Sequence, residues 1–209
     1  MQKSLVMIIG AGSVGKSTLT RAICGEGGEA HAVVLRCEEH KSNRKVSETV
    51  TYTLFPSGLA IAGNLRNGSD SISLMDGLKQ TVELCWRSRD VVIVDTVRAT
   101  HKFVRWIHDH PLRPATLFVF LNPSLDMNLA RLRERRRQRG IAEMELPPRT
   151  FWNVLTFRAR ARSVWKYART HYRRQPVRFL EIVDGTPEQA AKRIVEVLRE
   201  LKNNDHETC

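Results

Sequence analysis

Residues 10–18 read GAGSVGKST and follow the apolar run LVMII at 5–9. The spacing G-x-x-x-x-G-K-S between a buried strand and a helix leaves little freedom in how this stretch folds. Glycines at 10, 12 and 15 let the chain bend tightly, so several backbone N–H groups converge on one anion. The helix expected to open at Lys16 adds the positive end of its dipole at the same point. The expected cradle comprises Gly10, Ala11, Gly12, Ser13, Val14, Gly15, Lys16, Ser17 and Thr18. In such a loop Lys16 reaches the β- and γ-phosphates of a nucleotide, and the Ser17 hydroxyl binds Mg²⁺.

Short β runs alternate with helical patterns along the rest of the chain, which predicts an α/β fold with a parallel sheet flanked by helices. Strands are expected at 5–9, 32–36 (AVVLR), 91–94 (VVIV), 116–121 (TLFVFL) and 177–183 (VRFLEIV). Helices are expected from Lys16, at about 72–87, 98–109, 126–139 and 150–173, and after DGTPEQ near residue 187. The stretch TVTYTLFPSGLAIAGN alternates, turns at FPSG and returns. It reads as a β-hairpin over 48–64 inserted between core elements. One domain over 1–202 is expected, with a frayed tail at 203–209.

Charge is unevenly spread. Of 34 Lys and Arg and 22 Asp and Glu, residues 98–180 hold 19 basic and 5 acidic side chains, while 146–180 holds nine basic and none acidic. Such a block suits an anionic surface or polymer. Six arginines crowd 131–139, interrupted in charge only by Glu134. Arg131 and Arg135 are the arginines expected to meet the moving phosphoryl group. In the expected helix at 150–174, Arg158, Arg162, Lys166, Arg169 and Arg173 recur within an arc of about 80°. Phe157, Ala161, Val164, Trp165, Ala168 and Tyr172 form the neighbouring apolar stripe. Trp152 and Tyr167 fall outside it, open either to ordinary packing or to stacking on bases.

Asp95 ends an apolar strand, so it belongs at the carboxyl edge of the sheet, where ligands bind in such folds. There it either holds Mg²⁺ or takes a proton from an attacking hydroxyl. Arg98 is placed to face the same cleft and clamp an acceptor phosphate. The GTPase signatures D-x-x-G and N-K-x-D are absent, since Asp95 precedes TVR and the strand at 116–121 runs into NPSLD. His101, His108 and His110 lack metal-ligand spacing and read as surface residues. Four widely spaced cysteines read as reduced thiols of a cytoplasmic protein. The apolar run near the start is too short for a signal peptide or membrane span.

The phosphate loop, VVIVDTVR, the arginine-rich segment and VDGTPEQ together resemble the nucleoside and nucleotide kinases. That likeness implies a P-loop kinase fold using ATP and Mg²⁺, with 126–148 as a lid and Thr186 and Pro187 beside the adenine. It also places a general base after the second strand, at Glu38 or Glu39, with Asp70 a further candidate. IAGNLRNGSD with VVIVDTVRAT and the basic second half is similar to bacteriophage kinases that phosphorylate 5-hydroxymethyluracil within DNA. This implies DNA as partner, in the cytoplasm of an infected bacterium, with Asn64, Arg66 and Asp70 lining a base pocket. Arg158, Arg162 and Arg169 would then contact DNA phosphates. Two other readings stay open: a nucleoside or deoxynucleoside monophosphate kinase, and a nucleic-acid-bound P-loop ATPase.

Overall fold

The computed structural model describes residues 2–39, 44–64, 69–96, 100–141, 146–172 and 176–203. Seven strands form one sheet in the order β2-β3-β4-β5-β1-β6-β7. They are β1 (Ser4–Ile9), β2 (Glu29–Glu39), β3 (Arg44–Leu54), β4 (Leu59–Ile61), β5 (Val91–Thr96), β6 (Ala115–Leu121) and β7 (Val177–Ile182). The helices are α1 (Lys16–Cys24), α2 (Met75–Ser88), α3 (His101–Asp109), α4 (Leu125–Arg137), α5 (Pro148–His171) and α6 (Pro187–Asn203). Among the described residues, no helix is long and apolar enough to cross a membrane.

From β4 to β7 every neighbouring pair of strands is parallel. A parallel sheet is covered on both faces, so its strands read as continuous apolar runs rather than alternating ones. Every residue of β1, β5 and β6 is buried accordingly. Leu5, Met7 and Ile9 join Phe103, Ile107 and Trp165 in the core on one face. Val6 and Ile8 join Leu19, Ile23 and Ile194 on the other. The chain leaves β1 toward β4 and β5, then crosses back over it to reach β6. A ligand crevice therefore opens at the carboxyl end of β1, where the phosphate loop begins.

The run at 32–36 belongs to a different part of the sheet from the one expected. It lies within β2, which pairs antiparallel with β3 through eleven register positions, from Glu29↔Leu54 to Glu39↔Arg44. Ala32 and Val34 are apolar yet exposed, Val34 to 65%. They disguise a one-sided edge strand as a buried one. The turn at 55–58 joins β3 to β4 rather than closing a separate insertion over 48–64. β3 meets β4 at only two positions, and β4 continues the parallel core beside β5. A two-stranded wing thus extends the sheet beyond its core.

A carboxylate of β3 ties the wing to the start of α2. Leu74 caps α2 without a side-chain bond. Its backbone N–H donates to Glu48 of β3 at 3.1 Å, and the Ser73 N–H donates to the same carboxylate. Two N–H groups at the helix start thus find a partner from across the fold. Gly77 leaves room for that carboxylate, since a Cβ there would collide with it. Glu48→Ala is expected to destabilise the protein by about 1–2 kcal/mol by stripping these groups of their acceptor. Urea titration checks this; an unchanged midpoint would show that water replaces Glu48 at no cost.

Candidate active site

The phosphate loop closes over the carboxyl end of β1. Ser13 and Gly15 take left-handed backbone angles, with φ of 62° and 100°. α1 then starts at Lys16. The Lys16 ammonium is folded back over the loop, donating to Gly10 O at 3.2 Å and Ala11 O at 3.0 Å. Lys16 is only 7% exposed. Burial pulls its pKa down, against the attraction of Asp95 and Asp70.

The loop forms one wall of a cleft of about 780 Å³. That size suits a nucleotide-sized ligand. Residues Gly12 to Thr18 line it, together with Asp70, Arg131, Arg135, Thr186 and Pro187. Gly10 and Ala11 stand behind this wall, with Ala11 in the core. Thr186 and Gln189 form a reciprocal cap at the start of α6: Thr186 N donates to Gln189 Oε1 at 3.0 Å and Gln189 N to Thr186 Oγ1 at 3.3 Å. This is the capping-box arrangement, so the Thr186 hydroxyl is engaged by the helix start it shapes.

Asp95 sits at the end of β5, 1% exposed. The Thr20 hydroxyl lies 3.2 Å from its Oδ2, and the Ser17 hydroxyl is close enough to favour its charged form. Its backbone N–H donates to Ser69 Oγ at 3.2 Å. Burial pushes the carboxyl pKa up to about 6 although Lys16 pulls it down. Asp70, on the 3-10 turn Ser69–Ser71 that follows β4, accepts from Thr96 Oγ1 at 2.7 Å. Two carboxylates thus flank the lysine: Asp95 buried beside Ser17, and Asp70 on the cleft wall.

Two residues of α4 grip the loop from outside. Asn128, fully buried, donates from Nδ2 to Gly12 O at 3.0 Å. Arg131 Nη1 donates to Val14 O at 2.7 Å. In a trans peptide the C=O and the following N–H point in opposite directions. Holding the carbonyls of Gly12 and Val14 outward turns the N–H groups of Ser13 and Gly15 toward the anion side. Arg131, expected to act on the moving phosphoryl group, is here a positioning residue, bound to backbone. Arg135, one turn further on, lines the cleft, and its charge is felt at Lys16. Asn128 carries no sequence signal beyond its spacing of three from Arg131, and sequence reasoning missed it.

Glu38 is not part of this site. It is exposed on β2, away from the cleft, and its backbone N–H donates to Asp76 Oδ2 at 3.0 Å. The reason is topological: β4, not β2, is the second strand of the parallel core, and the residue that follows it into the cleft is Asp70. The side chain of Glu39, and all of Arg66 and Arg98, lie outside the described residues. Asn64 N donates to Ser71 Oγ at 3.4 Å, so Asn64 sits beside the Asp70 turn. Arg158, Arg162 and Arg169 lie on α5, away from the cleft lining.

His110, read as a surface residue, is buried. It packs against Trp86 and Trp106, 5.1 Å from each ring centre, and lies 3.5 Å from Glu83. These residues border a smaller hollow of about 400 Å³ that shares no residue with the phosphate loop. The larger cleft is the candidate site on chemical grounds, because the phosphate loop, Lys16 and Asp70 line it and the buried Asp95 acts on Lys16.

No protein-family model matches the chain, and no curated protein matches it. A solved structure described as nucleolar GTP-binding protein 1 of Plasmodium falciparum aligns with 99% of this chain and 90% of its own, at 13% identity and a TM-score of 0.39. That overlap is too loose to carry an argument about activity.

The raised pKa of Asp95 has a consequence for stability. Folded Asp95 holds its proton to about pH 6, whereas an unfolded aspartate loses it near 4. Between these values the folded state binds more protons, so this group's contribution falls as pH rises and stays low above pH 6. Asp95→Asn is expected to raise stability at neutral pH by roughly 1–2 kcal/mol, part of the gain being lost with the Lys16 attraction. The gain should vanish near pH 4. Thermal melts of both proteins at the two pH values check this; a variant less stable at neutral pH would contradict it.

Proposed function

We propose that the protein is a Mg²⁺-dependent phosphotransferase that moves the γ-phosphate of ATP to a hydroxyl, and that this hydroxyl is the hydroxymethyl group of 5-hydroxymethyluracil in DNA. The observation that carries the phosphotransferase reading is the convergence of Lys16, Asp70 and Arg135 on one cleft at the phosphate loop, with the buried Asp95 acting on Lys16. Hydrolysis of a nucleotide needs a positioned water. Two carboxylates of different exposure also suit a second substrate that brings its own hydroxyl.

Each residue has a role in this reading. The N–H groups of the loop bind the phosphate chain, and Lys16 moves from the Gly10 and Ala11 carbonyls to the β- and γ-phosphates. Ser17 and Asp95 offer adjacent hard oxygen donors, which fit Mg²⁺. An ion held there would neutralise charge on the β- and γ-phosphates. Asp70 takes the hydroxyl proton as the acceptor oxygen bonds to the γ-phosphorus and the bond to the β–γ bridging oxygen breaks, releasing ADP. Arg135 meets the charge on the transferring group. The acceptor is argued from the likeness around residues 61–70 and from the basic second half of the chain. Thymine carries a methyl where this acceptor carries CH₂OH, so it offers no nucleophile.

The test is incubation with γ-labelled ATP and a panel of acceptors, followed by digestion to nucleosides that spares the phosphomonoester. The expected result is one added phosphate on 5-hydroxymethyluracil and none on thymine DNA. Asp70→Asn and Asp95→Asn should each lower kcat by about a hundredfold or more. Only Asp95→Asn should respond to a change of metal. Label confined to free nucleotides would favour a nucleotide kinase. Free phosphate with no labelled acceptor would favour an ATPase.

A further inference from the structure

Helix α5 carries six lysines and arginines and no acid over 24 residues. Among the described residues no ion pair involves it. Burial lowers the Arg158 pKa, and the positive charge of Arg162, one turn along the helix, lowers it further. Like charges placed side by side without counter-ions repel, and an anion relieves them.

One side chain on this helix is out of keeping with a merely solvated face. Trp152 is 65% exposed, whereas Trp86 and Trp165 are buried and Trp106 half-buried. Tyr167, the other aromatic left outside the apolar stripe, is accounted for by packing. It stacks between His101 and His171, with ring centres 4.4 and 4.1 Å away. Among the described residues, the ring contact of Trp152 is an edge contact with Phe151, at 6.3 Å.

The helix geometry sets Trp152 in a definite lane. At 100° per residue, Ala159, Ser163 and Thr170 lie within about 20° of it around the axis. All three are small and uncharged. Lys166 and Arg162 flank this lane at about 40° and 80° on one side, and Arg160 at about 80° on the other. Connectivity places the Trp152 end at the edge of the sheet that bears the phosphate loop, because α5 must carry the chain from the carboxyl end of β6 back to the start of β7. A polymer of phosphates between stackable rings matches this surface in both charge and shape.

We infer that the outer face of α5 is a track for nucleic acid on which Trp152 stacks against an unpaired base, its flanking arginines holding the phosphates. The inference rests on the DNA reading above and adds what that reading lacks: a residue that recognises bases rather than charge, and a requirement for a base that is single-stranded or out of its stack. A base leaving the duplex to reach the cleft is one such base.

Binding without nucleotide tests this apart from any phosphoryl transfer. A short oligo(dT) titrated into the whole protein should quench the tryptophan fluorescence, and Trp152→Ala should remove most of that quenching. The substitution should weaken oligo(dT) binding about tenfold, with Trp152→Phe close to the parent. An abasic oligonucleotide of equal length should bind parent and Trp152→Ala alike. Arg160→Gln and Arg162→Gln should each flatten the salt dependence by about one unit, which Trp152→Ala leaves unchanged. Equal oligo(dT) affinity for parent and Trp152→Ala would overturn the inference. Quenching by anionic lipid vesicles but not by oligonucleotide would also overturn it, assigning the face to a membrane. Normal base-dependent binding with no phosphoryl transfer would keep the track and sink the kinase reading instead.

Discussion

The site depends on the orientation of a few peptide units. A phosphate loop binds its anion with backbone N–H groups, so its chemistry is fixed by which way each peptide plane faces. Here the planes are held from three directions. β1, buried on both faces, sets where the loop begins. α1 takes up the chain at Lys16. Asn128 and Arg131 of α4 fasten the carbonyls of Gly12 and Val14 on the outer side. The helix that carries the arginine cluster is thus also what aims the loop, and any movement of α4 is mechanically connected to the phosphate end of the cleft.

This arrangement has an electrostatic cost. Lys16 and Asp95 are both withdrawn from water, and burial moves each pKa toward its neutral form despite their mutual attraction. Groups held against their preferred charge state in this way are typical of reactive sites, and the surrounding fold bears the expense. The two tightly packed cores on either face of the sheet supply the stability that the cleft lacks.

The parallel core was legible because strands covered on both faces leave unbroken apolar runs, as in LVMII, VVIV and TLFVFL. The loop and Asp95 followed from their places at the ends of such runs. The wing was misread because Ala32 and Val34 are apolar on an exposed face, where no burial pattern distinguishes them from core. That single error put Glu38 and Glu39 among the candidate bases, whereas Asp70, the further candidate, is the one that lines the cleft. Asn128 was invisible for another reason: its importance lies in a contact with Gly12, 116 positions away, and nothing local marks it. His110 was hidden likewise, its burial being made by Trp86 and Trp106 from different helices.

Ready-oriented N–H groups of this loop are expected to hold a triphosphate. Amide chemical shifts recorded while Mg²⁺ and ATP are added measure this most directly. The largest changes are expected at the amides of Ser13, Gly15 and Lys16, with shifts at these positions much reduced when Asn128 is replaced by alanine. Changes centred on the Trp86 and Trp106 hollow, or none at the loop amides at saturating nucleotide, would contradict it.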